Sequence, residues 1–212
     1  MLQIKLFEFS PIQENTYVLY NEFNDCLIID PGCYYDDEKD ELVNFLIKMD
    51  LKPKMLLNTH CHLDHVFGNK FIAEKFGLTL QIHRNEKLVL DFAPKSGLLY
   101  NLPFDNYNGD FIYLEEGNKI LLGNDELTVI EAPGHSPGHI CFYCAAQHFI
   151  ISGDVLFKRS IGRTDLPGGN HETLLKNIRE KLFTLPGETK VYSGHGPVTT
   201  IGEEKTQNPF FN

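Results

Sequence analysis

The sequence predicts an α+β fold of four layers, helix–sheet–sheet–helix, rather than a doubly wound parallel sheet. Short strands and amphipathic helices are mixed in both halves of the chain, with no linker, repeat or low-complexity stretch between them. Seventeen glycines and eleven prolines spread along 212 residues punctuate many short elements joined by tight turns. A hydrophobic content of 42 % is ample for a substantial core, and 1–212 reads as one domain.

The elements follow in order. Leu2 to Phe9, Thr16 to Asn21 and Cys26 to Asp30 read as strands separated by Pro11 and by Asn24-Asp25. Asp36 to Met49 is acidic in its first turn and places Leu42, Phe45, Leu46 and Met49 on one face, which predicts an amphipathic helix. Met55 to Asn58 is a buried strand, Asn69 to Phe76 a helix closed by Gly77, and Thr79 to His83 a further strand. Asn85 to Leu90 reads as a short helical turn. Residues 93 to 110 read as a long irregular segment, either a lid or a loop packing its own aromatics, Tyr100, Phe104 and Tyr107. Strands are expected at Phe111 to Leu114, Lys119 to Leu122, Leu127 to Glu131, Ile140 to Cys144 and His148 to Ser152. His171 to Phe183 is helical, Lys190 to Ser193 is a strand, and Gly202 to Thr206 is a short helix.

A formal net charge of −10 argues against a nucleic-acid surface and gives no support for docking on an anionic membrane. The N-terminus alternates like a strand, without the apolar core of a signal peptide, and no run reaches transmembrane length. The five cysteines are odd in number and show no disulfide framework, so a reduced cytoplasmic location is expected. Cys141 and Cys144 lie three apart in a strand, which points them to opposite faces.

Candidate chemistry starts at Thr59-His60-Cys61-His62-Leu63-Asp64-His65, three imidazoles and a carboxylate directly after a buried strand. Neutral imidazole and carboxylate suit zinc, iron or manganese. Three later glycine-rich turns, each beside a strand, carry His135, Asp154 and His195. The seven candidates suffice for two metal ions sharing a carboxylate, each with an open position for water. Asp30, at the end of its strand, either caps a turn or orients a metal-bound histidine from behind.

The stretch Thr59 to His65 resembles the T-H-x-H-x-D-H signature of the metallo-β-lactamase superfamily, with Pro-Gly-His135, Gly-Asp154 and Gly-His195 following in that superfamily's order. Ile29-Asp30-Pro31-Gly32 resembles its first motif. The resemblance implies an αββα sandwich with the site at one edge of the packed sheets. It implies one metal on His60, His62 and His135, a second on Asp64, His65 and His195, Asp154 bridging, and Asp30 behind the ligands. Ser152-Gly-Asp-Val-Leu-Phe157 with Ile161-Gly-Arg-Thr-Asp-Leu-Pro-Gly-Gly169 is similar to the short bacterial members of the glyoxalase II-like branch.

That branch implies a hydrolase of the hydroxyacylglutathione type, cleaving a small, anionic thioester with a hydroxide activated by two divalent ions, zinc first, iron or manganese otherwise. Asp64 and Asp154 are then catalytic as well as ligating, and Arg163 anchors the anionic part of the substrate. True β-lactamases of this fold usually have cysteine where Asp154 stands, and ribonuclease Z-like enzymes carry a substrate arm not found here. The chain stops at Asn212, without the C-terminal helical domain that grips glutathione in authentic glyoxalase II, and carries Arg163 and Asp165 where those enzymes have Lys and Tyr. A second reading is a persulfide dioxygenase with one iron on His60, His135 and Asp154, and a third a non-catalytic metal protein. His139 is read as structural, His83, His148 and His171 as ordinary histidines, and Cys61 as a non-ligand sensitive to oxidation.

Overall fold

The computed structural model describes residues 1–211. Six strands, β1 (Gln3–Phe9), β2 (Glu14–Tyr20), β3 (Asp25–Ile29), β4 (Lys52–Leu57), β5 (Leu80–His83) and β6 (Phe111–Leu114), form the first sheet in sequential order. The first two pairings are antiparallel and the remaining three parallel. The second sheet is built from β7 (Lys119–Leu122), β8 (Asp125–Glu131), β9 (Ile140–Cys144), β10 (Phe149–Gly153), β13 (Lys190–Ser193) and β14 (Thr199–Thr200). Within it, β10 and β13 are parallel neighbours. A small hairpin of β11 (Leu156–Phe157) and β12 (Ser160–Ile161) stands apart.

Residue alternation explains the layering. In β3, Leu27 and Ile29 join the cluster between the sheets, where they meet Val129, Phe142 and Ile151. Cys26 and Ile28 point the other way, under α1 (Asp36–Lys48), α3 (Asn69–Phe76) and α4 (Lys87–Leu99), against Leu42, Ile72 and Leu90. Such a strand is covered on both faces and so reads as a continuous apolar run. On the outer face of the second sheet, Cys141, Ile150 and Val191 pack on Leu174 and Ile178 of α5 (His171–Glu180) and Ile201 of α6 (Ile201–Gln207). The order is therefore helix–sheet–sheet–helix. Cys141 and Cys144 fall in different clusters, on opposite faces of β9.

The largest departure from the sequence-based expectation lies at 85–110. Instead of a short turn and a long irregular segment, α4 runs to Leu99, straight through Pro94 and Gly97. Proline in a helix interior removes one donor and leaves the carbonyl four residues earlier unpaired. Here that carbonyl, Leu90 O, accepts from Asn106 Nδ2 at 2.8 Å, so the helix continues. Gly97 lets Leu102 O approach closely enough that a Cβ would meet it at 2.6 Å. Tyr107 and Phe104 pack inward, the latter edge-on to Phe67, whereas Tyr100 stays exposed. Replacing Asn106 with alanine leaves Leu90 O buried without a partner and is expected to cost about 1–3 kcal/mol, read as a lower urea midpoint. Smaller differences are that α5 ends at Glu180 before a short 3-10 turn at Leu182–Thr184, and that the hairpin at 156–161 was not anticipated.

The parallel pairs β3–β4 and β10–β13 direct the carboxyl ends of their strands to one edge of the sandwich. Asp30 follows β3, Asn58 to His65 follow β4, Asp154 follows β10 and His195 follows β13. Among the described residues no helix is long and apolar enough to cross a membrane.

Candidate metal centre

The histidine motif leaves β4 as a loop, and a single helical turn, α2 (Leu63–Val66), then sets Asp64 and His65. His135 comes from the turn after β8, whereas Asp154 and His195 come from the adjacent ends of β10 and β13. The first sheet holds the His195 loop in place. Asn15 N donates to Gly194 O at 2.7 Å, Asn15 Nδ2 to Gly196 O at 2.9 Å and Tyr17 Oη to Ser193 O at 2.6 Å. Gly194 is required by close approach, because a Cβ there would overlap Asp154 Oδ1.

All seven residues singled out from the sequence converge, in two groups. His60 Nε2 and His62 Nδ1 lie 3.2 and 2.8 Å from His135 Nε2. His195 Nε2 and His65 Nε2 lie 3.1 and 3.8 Å from Asp64 Oδ2. In each group the candidate ligand atoms are within 4.8 Å of one another. Asp154 sits between the groups, with Oδ1 3.5 Å from His65 Nε2 and Oδ2 3.5 Å from His135 Nε2 and 3.6 Å from His195 Nε2.

Four of the imidazoles have the other ring nitrogen tied to an oxygen. His65 Nδ1 faces Asp30 Oδ2 at 3.1 Å, His135 Nδ1 faces Arg163 O at 2.7 Å and His195 Nδ1 faces Gln13 O at 3.0 Å. His60 Nδ1 faces Thr59 Oγ1 at 3.1 Å, whose own hydrogen goes to Asp30 Oδ2 at 2.6 Å. Donation from Nδ1 leaves each Nε2 with a lone pair aimed into the site, the arrangement by which proteins prepare histidine for a metal. His65 Nε2 and Asp154 Oδ1 are buried without a hydrogen-bond partner among the described residues, which a cation between the groups would satisfy.

The electrostatics agree. Burial holds His60 and His135 below the ordinary histidine value and pushes His62 down to about 3, so these rings are neutral, the ligating form. Burial opposes charge on Asp154 too, but His65, His195 and His135 outweigh it and hold the carboxyl well below its usual range. Burial also works against a proton on His65 and His195, and the facing Asp154 and Asp64 carboxylates reverse this, raising both. Cation binding in that group is therefore a competition with protons and weakens as pH falls.

Asp30 belongs to a third grouping with His60 and His65, yet both its oxygens are already occupied. Oδ1 accepts from Asn58 Nδ2 and Thr59 N, and Oδ2 from Thr59 Oγ1 and His65 Nδ1. It therefore stands behind His65 and aligns it, in a positive-φ conformation (49°) at the strand end. Arg163 lines the cavity in front of the centre, but its fork is taken. Nε and Nη2 each donate to Asp165 at 2.7 Å, and this pairing brings the Asp165 carboxyl down to about 2.

Two buried residues, Glu86 and Glu14, carry parts that sequence reading did not assign, and His139 has the structural part expected of it. Glu86 Oε2 accepts from Cys61 N at 2.8 Å, while Oε1 accepts from Gly138 N at 2.7 Å and Ser136 Oγ at 2.5 Å, clamping two ligand loops together. Glu14 lies 3.7 Å from His65 Nδ1, with Oε1 unpartnered among the described residues. Neither had a clear signal: Glu14 opens β2 within the polar run Gln13-Glu14-Asn15-Thr16, and Glu86 looks like any acidic first-turn residue. His139 stacks on His60 at 4.7 Å and accepts from Asp154 N at 3.0 Å, so it positions a neighbour from outside both groups.

The expectation that Cys61 is oxidation-sensitive is corrected by its burial. The side chain is fully enclosed and burial pushes its thiol well above the ordinary value, removing the reactive thiolate. Cys26 and Cys33 are likewise raised, to about 12. All five thiols are buried and are expected to resist an aromatic disulfide reagent until guanidinium unfolds the chain, when all react.

With this geometry in place, comparison with known proteins is direct. The family model described as metallo-beta-lactamase superfamily matches residues 10–195. The chain belongs to the metallo-beta-lactamase superfamily, a superfamily of metallo-hydrolases. A Haemophilus influenzae relative named hydroxyacylglutathione hydrolase GloC is 35 % identical over 213 residues, covering 100 % of this chain and 99 % of its own. The crystal structure of BLEG-1 B3 metallo-beta-lactamase superposes with a TM-score of 0.90 at 38 % identity, covering 99 % of this chain and 100 % of that one. TTHA1623 in a di-iron-bound form superposes with a TM-score of 0.88 at 35 % identity, covering 97 % and 99 %. A di-iron relative and paired histidine groups together point to a dinuclear metal site.

Proposed function

We propose that this protein is a two-metal thioester hydrolase of the hydroxyacylglutathione hydrolase type, acting on a small acyl substrate. The observation that carries the reading is the set of four imidazoles whose Nδ1 atoms are tied to oxygens, leaving Nε2 of His65, His135 and His195 around Asp154 and that of His60 beside His135. His60, His62 and His135 would hold one ion, and Asp64, His65 and His195 the other, with Asp154 available to both and zinc the expected metal. The kinship with GloC supports the substrate class.

When bound, the ions supply an activated water and polarise the carbonyl. The protein's own residues do the rest. Asp64, whose Oδ2 also faces His195, accepts the proton given up by the attacking water. The water oxygen bonds to the carbonyl carbon, the C–S bond breaks, and the thiolate leaves to take up a proton. Asp30, Glu86 and His139 hold the ligands at fixed angles, so little reorganisation is needed at the moment of reaction.

The test is metal content and turnover measured on the same preparation. About two ions per chain with cleavage of S-lactoylglutathione or a simpler thioester is the expected result. A single iron with persulfide-dependent oxygen uptake would sink the hydrolase reading. β-Lactam hydrolysis outrunning every thioester would move the substrate class toward that of BLEG-1.

A further inference from the structure

The metal centre opens into a cavity of about 780 Å³. One wall is α4, which contributes Leu88, Phe92 and Ser96 at four-residue intervals, with Tyr100, the residue that caps its C-terminus, continuing the row. Twelve residues at 1.5 Å rise give that row a length of about 18 Å. Leu88 and Phe92 are 79 % and 46 % exposed, while Leu90 and Gly97 face the core. The helix thus spends large apolar side chains on the cavity rather than on its own packing. Leu63, Phe157 and Leu166 line the space with it.

The charge inventory is equally one-sided. Apart from the candidate metal ligands and Arg163, no described residue lining the cavity is charged. Arg163 is already engaged through Nε and Nη2 with Asp165. Glutathione carries two carboxylates and an ammonium, for which the lining offers only Arg163, shared with Asp165, and the hydroxyls of Ser96 and Tyr100. An apolar chain loses nothing there and leaves water with a gain that grows with length.

We infer that the acyl group cleaved at this site carries an apolar chain of medium length seated along α4, so the substrate class is a fatty-acyl thioester. This rests on the thioesterase reading above. Asn106 now has a functional sense, since its bond to the Leu90 carbonyl left unpaired by Pro94 keeps α4 helical as far as Leu99.

The experiment uses the metal-loaded full chain with acetyl, butanoyl, hexanoyl and octanoyl thioesters of N-acetylcysteamine, beside S-lactoylglutathione. kcat/KM is expected to rise about fourfold per added methylene through the early members. A flat or falling series, or S-lactoylglutathione outrunning the octanoyl thioester, overturns the proposal while leaving the thioesterase reading intact. If no thioester is cleaved, that reading fails, and calorimetric binding of acetate through octanoate still decides this one. Affinity rising with chain length supports the chain site, and equal affinities overturn it. Phe92→Asn and Leu88→Asn, at exposed positions, are expected to flatten the chain-length slope in both measurements. A slope that survives both substitutions overturns the placement along α4.

Discussion

Replacing Asp154 with alanine is expected to lower metal loading to one ion per chain or fewer and to cut kcat/KM by about 10³-fold, on the order of 4 kcal/mol of transition-state stabilisation. The size follows from position. Among the described residues, Asp154 is the one carboxylate within 3.6 Å of histidines from both groups, His65, His135 and His195. Its loss leaves His135 facing His65 and His195 with no carboxylate between the two groups, so cations gather there less readily. Elemental analysis and kinetics on the same preparation check this. Full loading with unchanged turnover would show that Asp154 is not what joins the two groups.

Asp30→Ala is expected to be the most destabilising single change near the site, costing about 3–5 kcal/mol. Four donors lose their acceptor at once: Asn58 Nδ2, Thr59 N, Thr59 Oγ1 and His65 Nδ1, at 3.1, 2.7, 2.6 and 3.1 Å. All lie in residues enclosed from solvent, where water cannot replace the lost partner. Alanine also fits the positive φ at this position less well than aspartate does. Metal affinity in the Asp64–His65–His195 group should fall about 10–100-fold, because His65 loses the contact that sets its ring. Urea unfolding with chelator present isolates the stability effect, and metal titration of the folded fraction isolates the affinity effect. An unfolding midpoint equal to the parent's would mean that Asp30 aligns nothing.

The elements that local sequence reveals well are those whose burial is repetitive. β6, β7, β9, β13 and α3 have the predicted ends because alternation or helical spacing is unbroken within them and a turn residue stops each. α4 was misread because Pro94 and Gly97 are locally breakers, and the group that rescues the helix, Asn106 Nδ2, arrives from sixteen positions later. The same distinction separates residues at the centre. Histidines, and carboxylates on glycine turns, announce themselves by type and spacing. Glu86 does not, because its partners, Cys61 N and Gly138 N, are backbone groups with no sequence signature.

The sequence alone determined the four-layer class and picked out His60, His62, Asp64, His65, His135, Asp154 and His195, since periodic burial and ligand chemistry are properties of residue type and order. The family resemblance already implied how those seven divide, with Asp154 between two groups, but only tertiary structure brings them together, because that depends on the parallel pairing of β10 with β13 and of β3 with β4. Tertiary structure also decided what the centre faces. A row of exposed leucine and phenylalanine on α4, and an arginine already bound to its neighbouring aspartate, come to line one cavity with the candidate metal ligands only once the chain is folded.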